Sequence, residues 1–139
     1  MTTIEERVAR RLDDERRAGV VSLYLFGSHA SGRAHRQSDV DLGVLLDRGA
    51  HPTPRDRFEE RLVLITRLQA ASPGREIDLV VLNDAPPLLA RRIVTGGRRL
   101  FCADAEADHA FVRDVQLRAA DLEPFLRRTR RVKLAALGR

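Results

Sequence analysis

This 139-residue chain has little with which to do covalent or soft-metal chemistry. Cys102 is its single cysteine, so no internal disulfide can form and a cysteine-rich zinc site is excluded. The residue reads as a small buried side chain closing the Leu100-Phe101 run. There is no tryptophan and one tyrosine, so a base-stacking platform for single-stranded nucleic acid is poorly supported. No apolar run approaches the roughly 18 residues of a membrane span. The opening Met-Thr-Thr-Ile-Glu-Glu-Arg lacks the basic-then-apolar order of a secretion signal, and a cytoplasmic location is expected. Lysine is nearly absent: Lys133 stands beside 24 arginines, a skew that a GC-rich genome produces as readily as function does.

What remains is ordinary material for a globular domain. Apolar residues are 43% and charged residues 32% of the chain, enough for one domain with a real core. The net charge is +5. From Arg127 to Arg139 there are six basic residues and no acid. That run suits an acidic partner or nucleic acid, or equally a solvated helix face with cations near its C-terminus.

Periodicity predicts a helix from Ile4 to about Arg17, with Ile4, Val8 and Leu12 on one stripe, Thr2 or Thr3 as cap and Gly19 as stop. Strands are expected at Val20–Phe26, Val40–Leu46 and Glu76–Leu82, and an edge strand at Arg98–Cys102. A short helical turn or loop is expected over Ala30–Arg36. Pro54–Ala70 reads as a helix with the stripe Phe58, Leu62, Ile65 and Leu68. Another helix starts at Pro86-Pro87 and closes at Gly96-Gly97. Ala105–Leu137 is helical again, with the stripe Phe111, Val115, Ala119 and Leu122 continued by Phe125 and Leu126. Pro124 should kink or split it. This order implies an α+β fold, a small mixed β-sheet flanked by helices.

The informative stretch runs from Gly27-Ser28 to Ser38-Asp39-Val40-Asp41-Leu42. Residues two apart on a strand share a face, so Asp39 and Asp41 project together while Val40, Leu42 and Val44 face the core. Asp78 sits at the equivalent level of the next strand, with Ile77, Leu79 and Val81 turned the other way. Converging carboxylates repel, and hard oxygen donors suit magnesium, which takes one or two carboxylates plus substrate phosphates. Two such ions can clamp the attacking and leaving oxygens of an in-line displacement. Gly27 lets the backbone approach a phosphate, and the Ser28 hydroxyl and nearby amides can donate to it. Gly32 adds a second unhindered position, and Arg33 suits the pyrophosphate leaving group. Ser38 belongs with the nucleotide-binding residues or caps the turn into the strand. Any one of these residues alone is more often a plain turn glycine or a surface acid. Together they open strands rich in Val, Ile and Leu, where acids are disfavoured. His29 and His35 flank the loop and read as solvent-facing, and His51 and His109 are isolated.

These residues resemble the signature of the DNA polymerase β-like nucleotidyltransferase superfamily: Gly-Ser, a spacer, Asp-x-Asp, and a third acid on a later strand. The match is Gly27, Ser28, Asp39, Asp41 and Asp78. Within it the chain looks like the minimal, MNT-type nucleotidyltransferases, through Phe26-Gly27-Ser28, Ser38–Leu42, Ile77–Asn83, the proline-led helix after it, and Asp121-Leu122-Glu123-Pro124. The family often has a basic residue where this chain has Ser31, with Arg33 nearby to replace it.

The resemblance implies the polymerase β-like palm fold over residues 1–104 and a C-terminal helical extension over 105–139. It implies the antitoxin half of a HEPN–MNT toxin–antitoxin pair, moving AMP from ATP to a tyrosine hydroxyl of a HEPN ribonuclease toxin. It further implies Asp39, Asp41 and Asp78 as catalytic metal ligands and Mg2+ as cofactor, with two ions expected. So short a chain is expected to borrow its acceptor site from another protein. Two other readings share the fold: an antitoxin that neutralises by contact alone, and a small-molecule, antibiotic-type nucleotidyltransferase, which usually carries an extra helical domain.

Overall fold

A computed structural model describes residues 3–13, 19–27 and 39–137, with side chains to residue 129. Its elements are α1 (Ile4–Asp13), β1 (Val20–Phe26), β2 (Val40–Leu46), α2 (Pro54–Ala71), β3 (Ile77–Val81), a 3-10 turn at Leu82–Asp84, α3 (Pro87–Gly96), β4 (Arg98–Cys102) and α4 (Ala105–Leu137). The four strands form one sheet in the order β3-β2-β1-β4. β1 is antiparallel to both β2 and β4, while β2 and β3 are parallel. A parallel pair needs a crossover between its strands, and α2 supplies it.

Strand alternation divides the core in two. Leu23, Leu25, Val40, Leu42, Val44, Ile77 and Leu79 point to one face, where Val8 and Leu12 of α1 and Leu64 and Leu68 of α2 cover them. Tyr24 and Leu45 point to the other, against Ala90 and Ile93 of α3 and Val115 of α4. Most of these leucines are fully buried, each contributing roughly 2 kcal/mol of apolar transfer.

Local chemistry fixes the element ends. Thr3 Oγ1 accepts from the Glu6 amide at 3.1 Å and the Thr3 amide donates to Glu6 Oε2, a reciprocal cap on α1. Thr53 and Asp56 repeat the device on α2, with Pro54 in its first turn. The Asn83 amide pairs with both backbone groups of Leu46, at 2.9 and 2.8 Å. That clamp turns the chain at Leu82–Asp84, so β3 stops at Val81, one residue earlier than its apolar run.

Three expectations change. The buried side of α2 is Arg57, Leu64 and Leu68, while Phe58 and Leu62 are about half exposed. Arg57 takes the inward position because Asp84 and the His51 carbonyl satisfy its guanidinium there. α4 runs through Pro124 as one helix. Pro124 and Ala120, whose carbonyl loses its donor, are both exposed, so water can replace the missing bond. The α4 stripe is also divided: Val115 and Ala119 are buried, whereas Leu122, Phe125 and Leu126 are exposed. The expected extension of α1 beyond Asp13 and the turn at Ala30–Arg36 lie outside the described residues.

Candidate active site

The candidate site lies at one end of the sheet, on the side that carries α3 and α4. Val40, Leu42, Ile77 and Leu79 point to the opposite face, so alternation turns Asp41 and Asp78 toward α3. The parallel ladder sets Asp41 directly opposite Asp78. The antiparallel ladder on the other side of β2 sets Asp41 opposite Phe26, the last residue of β1. Gly27 follows immediately with φ +74, a left-handed conformation that favours glycine. A Cβ there would collide with Asp41 Oδ2. The missing side chain is therefore what lets the β1 turn lie against the Asp41 carboxylate.

Helix α3 covers the sheet up to this point. Ile93 and Leu82 sit over Gly43, where a Cβ would come within 2.9 Å of Ile93 Cγ2. Asp41, the next residue on that face, is half-buried, and Asp78 across the ladder is exposed. Asp39 is exposed and precedes β2 by one residue. The ladders thus bring together Gly27, Asp41 and Asp78. Among the described residues no three His, Cys, Asp or Glu side chains form a ready metal-holding group. Like charges resist closing all three acids together. The paired carboxylates are hard oxygen donors, and a magnesium ion bound with phosphates needs only one or two such ligands. Ser28, Gly32, Arg33 and Ser38 lie outside the described residues.

A further acid on this side of the sheet, Asp108, escaped the sequence reading. Asp108 of α4 is 1% exposed. It accepts from Ser22 Oγ at 2.6 Å, from the Tyr24 hydroxyl at 2.9 Å and from Arg99 Nη1 at 3.0 Å. Burial, followed by the hydrogen bond to Asp108, pushes the Tyr24 phenol well above its ordinary value. Arg99 is raised mainly by its bond to the same carboxylate. The signal in the sequence was faint: Ser22 and Tyr24 alternate on a buried strand, and a buried hydroxyl needs a partner. Arg57 and Asp84 form a second anchor through two 2.8 Å bonds. That bidentate contact holds the Asp84 carboxyl below its usual range.

Beside Asp78, on the open edge of β3, lies a groove of about 380 Å³ between α2 and the start of α3. Phe58, Arg61, Pro86 and Leu89 are among its walls.

Residues 12–106 match the family model described as Polymerase beta, Nucleotidyltransferase. A stretch of 79 residues, 57% of this chain, is 33% identical to the protein adenylyltransferase MntA of Shewanella oneidensis; the chain spans about half (52%) of that relative's length. A crystal structure of a toxin–antitoxin with AMP-PNP superposes with a TM-score of 0.65 at 26% identity, covering 97% of this chain and 98% of that one. A tri-AMPylated Shewanella oneidensis HEPN toxin in complex with its MNT antitoxin contains the same fold, with a TM-score of 0.60 at 23% identity over 98% of this chain and 97% of that one.

Proposed function

We propose a reaction for this chain from the premise that it belongs to the polymerase beta nucleotidyltransferase family: it transfers AMP from ATP to a tyrosine hydroxyl of a HEPN-type toxin and so acts as its antitoxin in the cytoplasm. The observation that carries this reading is the register of Gly27, Asp41 and Asp78, a phosphate-admitting turn set against two adjacent carboxylates. The similarity to a protein adenylyltransferase supports the reaction class. The likeness to a toxin–antitoxin carrying AMP-PNP supports the nucleotide and the kind of partner. Residues 1–104 form the catalytic unit, and 105–139 a helical extension anchored through Asp108, Val115 and Ala119.

Each residue has a task in the transfer. The Gly27 turn, with Ser28, Gly32, Arg33 and Ser38, holds the outer phosphates through backbone amides, hydroxyls and the guanidinium. Asp39, Asp41 and Asp78 would hold Mg2+ through their carboxylate oxygens, and the ion would offset the negative charge of the triphosphate. Asp78, the most exposed of the register-paired acids, takes the proton of the acceptor hydroxyl. The acceptor oxygen then forms a bond to the α-phosphorus as the bridging oxygen to the β-phosphorus departs with pyrophosphate. Positioning and charge neutralisation do the catalytic work.

Intact mass spectrometry of the cognate toxin after incubation with this protein, ATP and magnesium tests the reading. Mass gains in whole AMP units that vanish in the Asp39→Ala/Asp41→Ala double variant are expected. A stable complex with no mass gain overturns the transferase reading in favour of neutralisation by contact.

A further inference from the structure

The groove at the edge of β3 is unexplained by nucleotide binding alone. In-line displacement requires the attacking and leaving oxygens to lie on opposite sides of the α-phosphorus. The ladder orders the site in one direction: the Gly27 turn at the end of β1, then Asp41 on β2, then Asp78 on β3. With pyrophosphate at the Gly27 end, the attacking hydroxyl must come from beyond Asp78. β3 is an edge strand of the described sheet, and the groove that lies there has Asp78 in its own lining.

Resting on the transferase reading, we propose that this groove seats the acceptor segment of the protein partner and selects a tyrosine. Phe58 is 55% and Leu89 36% exposed, large apolar side chains left facing solvent on either side of the groove. With Pro86 they give the groove apolar walls, and Asp78 belongs to the same lining. A tyrosine matches that combination of surfaces, with an apolar ring for the walls and a hydroxyl for the acid. A serine or threonine hydroxyl lacks the ring that would carry it along the groove. Recognition is through side chains rather than strand addition, because Arg61 Nε donates to the Leu79 carbonyl at 2.7 Å and occupies the β3 edge there. The second exposed apolar patch, Leu122, Phe125 and Leu126, lies on α4 and adjoins a different groove.

The test uses the full chain and its purified cognate toxin. In Phe58→Glu/Leu89→Glu, toxin affinity should fall about tenfold or more, the size of a lost interface anchor. Transfer at limiting toxin should fall in parallel and recover at saturating toxin, with ATP affinity unchanged. Phe58→Ala/Leu89→Ala, which adds no charge, should give a smaller loss in the same direction and guards against misfolding. Wild-type toxin affinity and transfer in both variants overturn the proposal. So does lost ATP affinity with toxin binding intact, which assigns the groove to the adenine base. If the wild-type protein binds toxin but adds no AMP, the transferase reading fails while the affinity measurements still judge the groove. If it neither binds nor modifies toxin, both fall.

Discussion

Asp108 and Asp78 carry the same side chain on the same side of the sheet, in opposite circumstances. Asp108 is 1% exposed and accepts from Ser22, Tyr24 and Arg99. Asp78 is exposed, and among the described residues its carboxylate makes no hydrogen bond or ion pair. A buried carboxylate with both oxygens hydrogen-bonded fixes α4 to β1 and β4 and is closed to solvent. An exposed one in register with a second acid, beside a turn glycine, adds repulsion to the free fold and keeps its oxygens open to a ligand. Under the proposed reaction, the solvation and partners of an aspartate separate structural from chemical use.

The sharpest way to break that contrast is to remove each acid in turn. Asp78→Ala should lower AMP transfer about a thousandfold while leaving the thermal midpoint essentially unchanged. A large loss of stability would make Asp78 structural. Asp108→Ala should do the reverse. It strands two buried hydroxyls and costs about 3 kcal/mol, read as a lower urea midpoint, with transfer per folded molecule retained. Gly27→Ala tests the junction between the two kinds of effect. Its φ of +74 and the Cβ collision with Asp41 should cost about 1–2 kcal/mol and lower transfer about tenfold by displacing that carboxylate.

The smallest effect concerns the second anchor. Arg57 holds the Asp84 carboxyl below the ordinary 3.8. The pair therefore contributes fully above that value, and its contribution is lost as pH falls toward the lowered folded value. Because the Asp84 side chain is 37% exposed, screening keeps the contribution under about 1 kcal/mol. Urea midpoints compared at pH 7 and pH 3 should show a smaller pH dependence in Asp84→Asn than in wild type.

Much of the fold was legible because its signals are local. β1, β2 and β4 lie at the residues their β-branched and apolar runs mark out. The Thr3 cap sits where the residue type suggests, whereas the Thr53 cap emerged only from the structure. The inner face of α2 was misread because Arg57, with Asp84 and the His51 carbonyl as partners, behaves as a core residue. A stripe read from apolar residues alone passes over it and chooses Phe58 and Leu62 instead. Pro124 does not split α4, for a related reason: a helix tolerates a missing bond where solvent can satisfy the carbonyl.

By itself the sequence determined the strands, the α1 cap, the glycine turn and the face that Asp41 and Asp78 take, because each depends on a residue's own conformational preference or on period-two alternation. Only the tertiary structure decided which strands pair and in what register, and hence that Asp41 faces Asp78 and that β3 is the open edge. It also decided that Asp108 is sealed among hydroxyls while Phe58 and Leu89 are left beside the site. Those outcomes depend on contacts between residues far apart in the chain, such as Ser22 with Asp108 and Arg57 with Asp84, and no local pattern encodes such pairings.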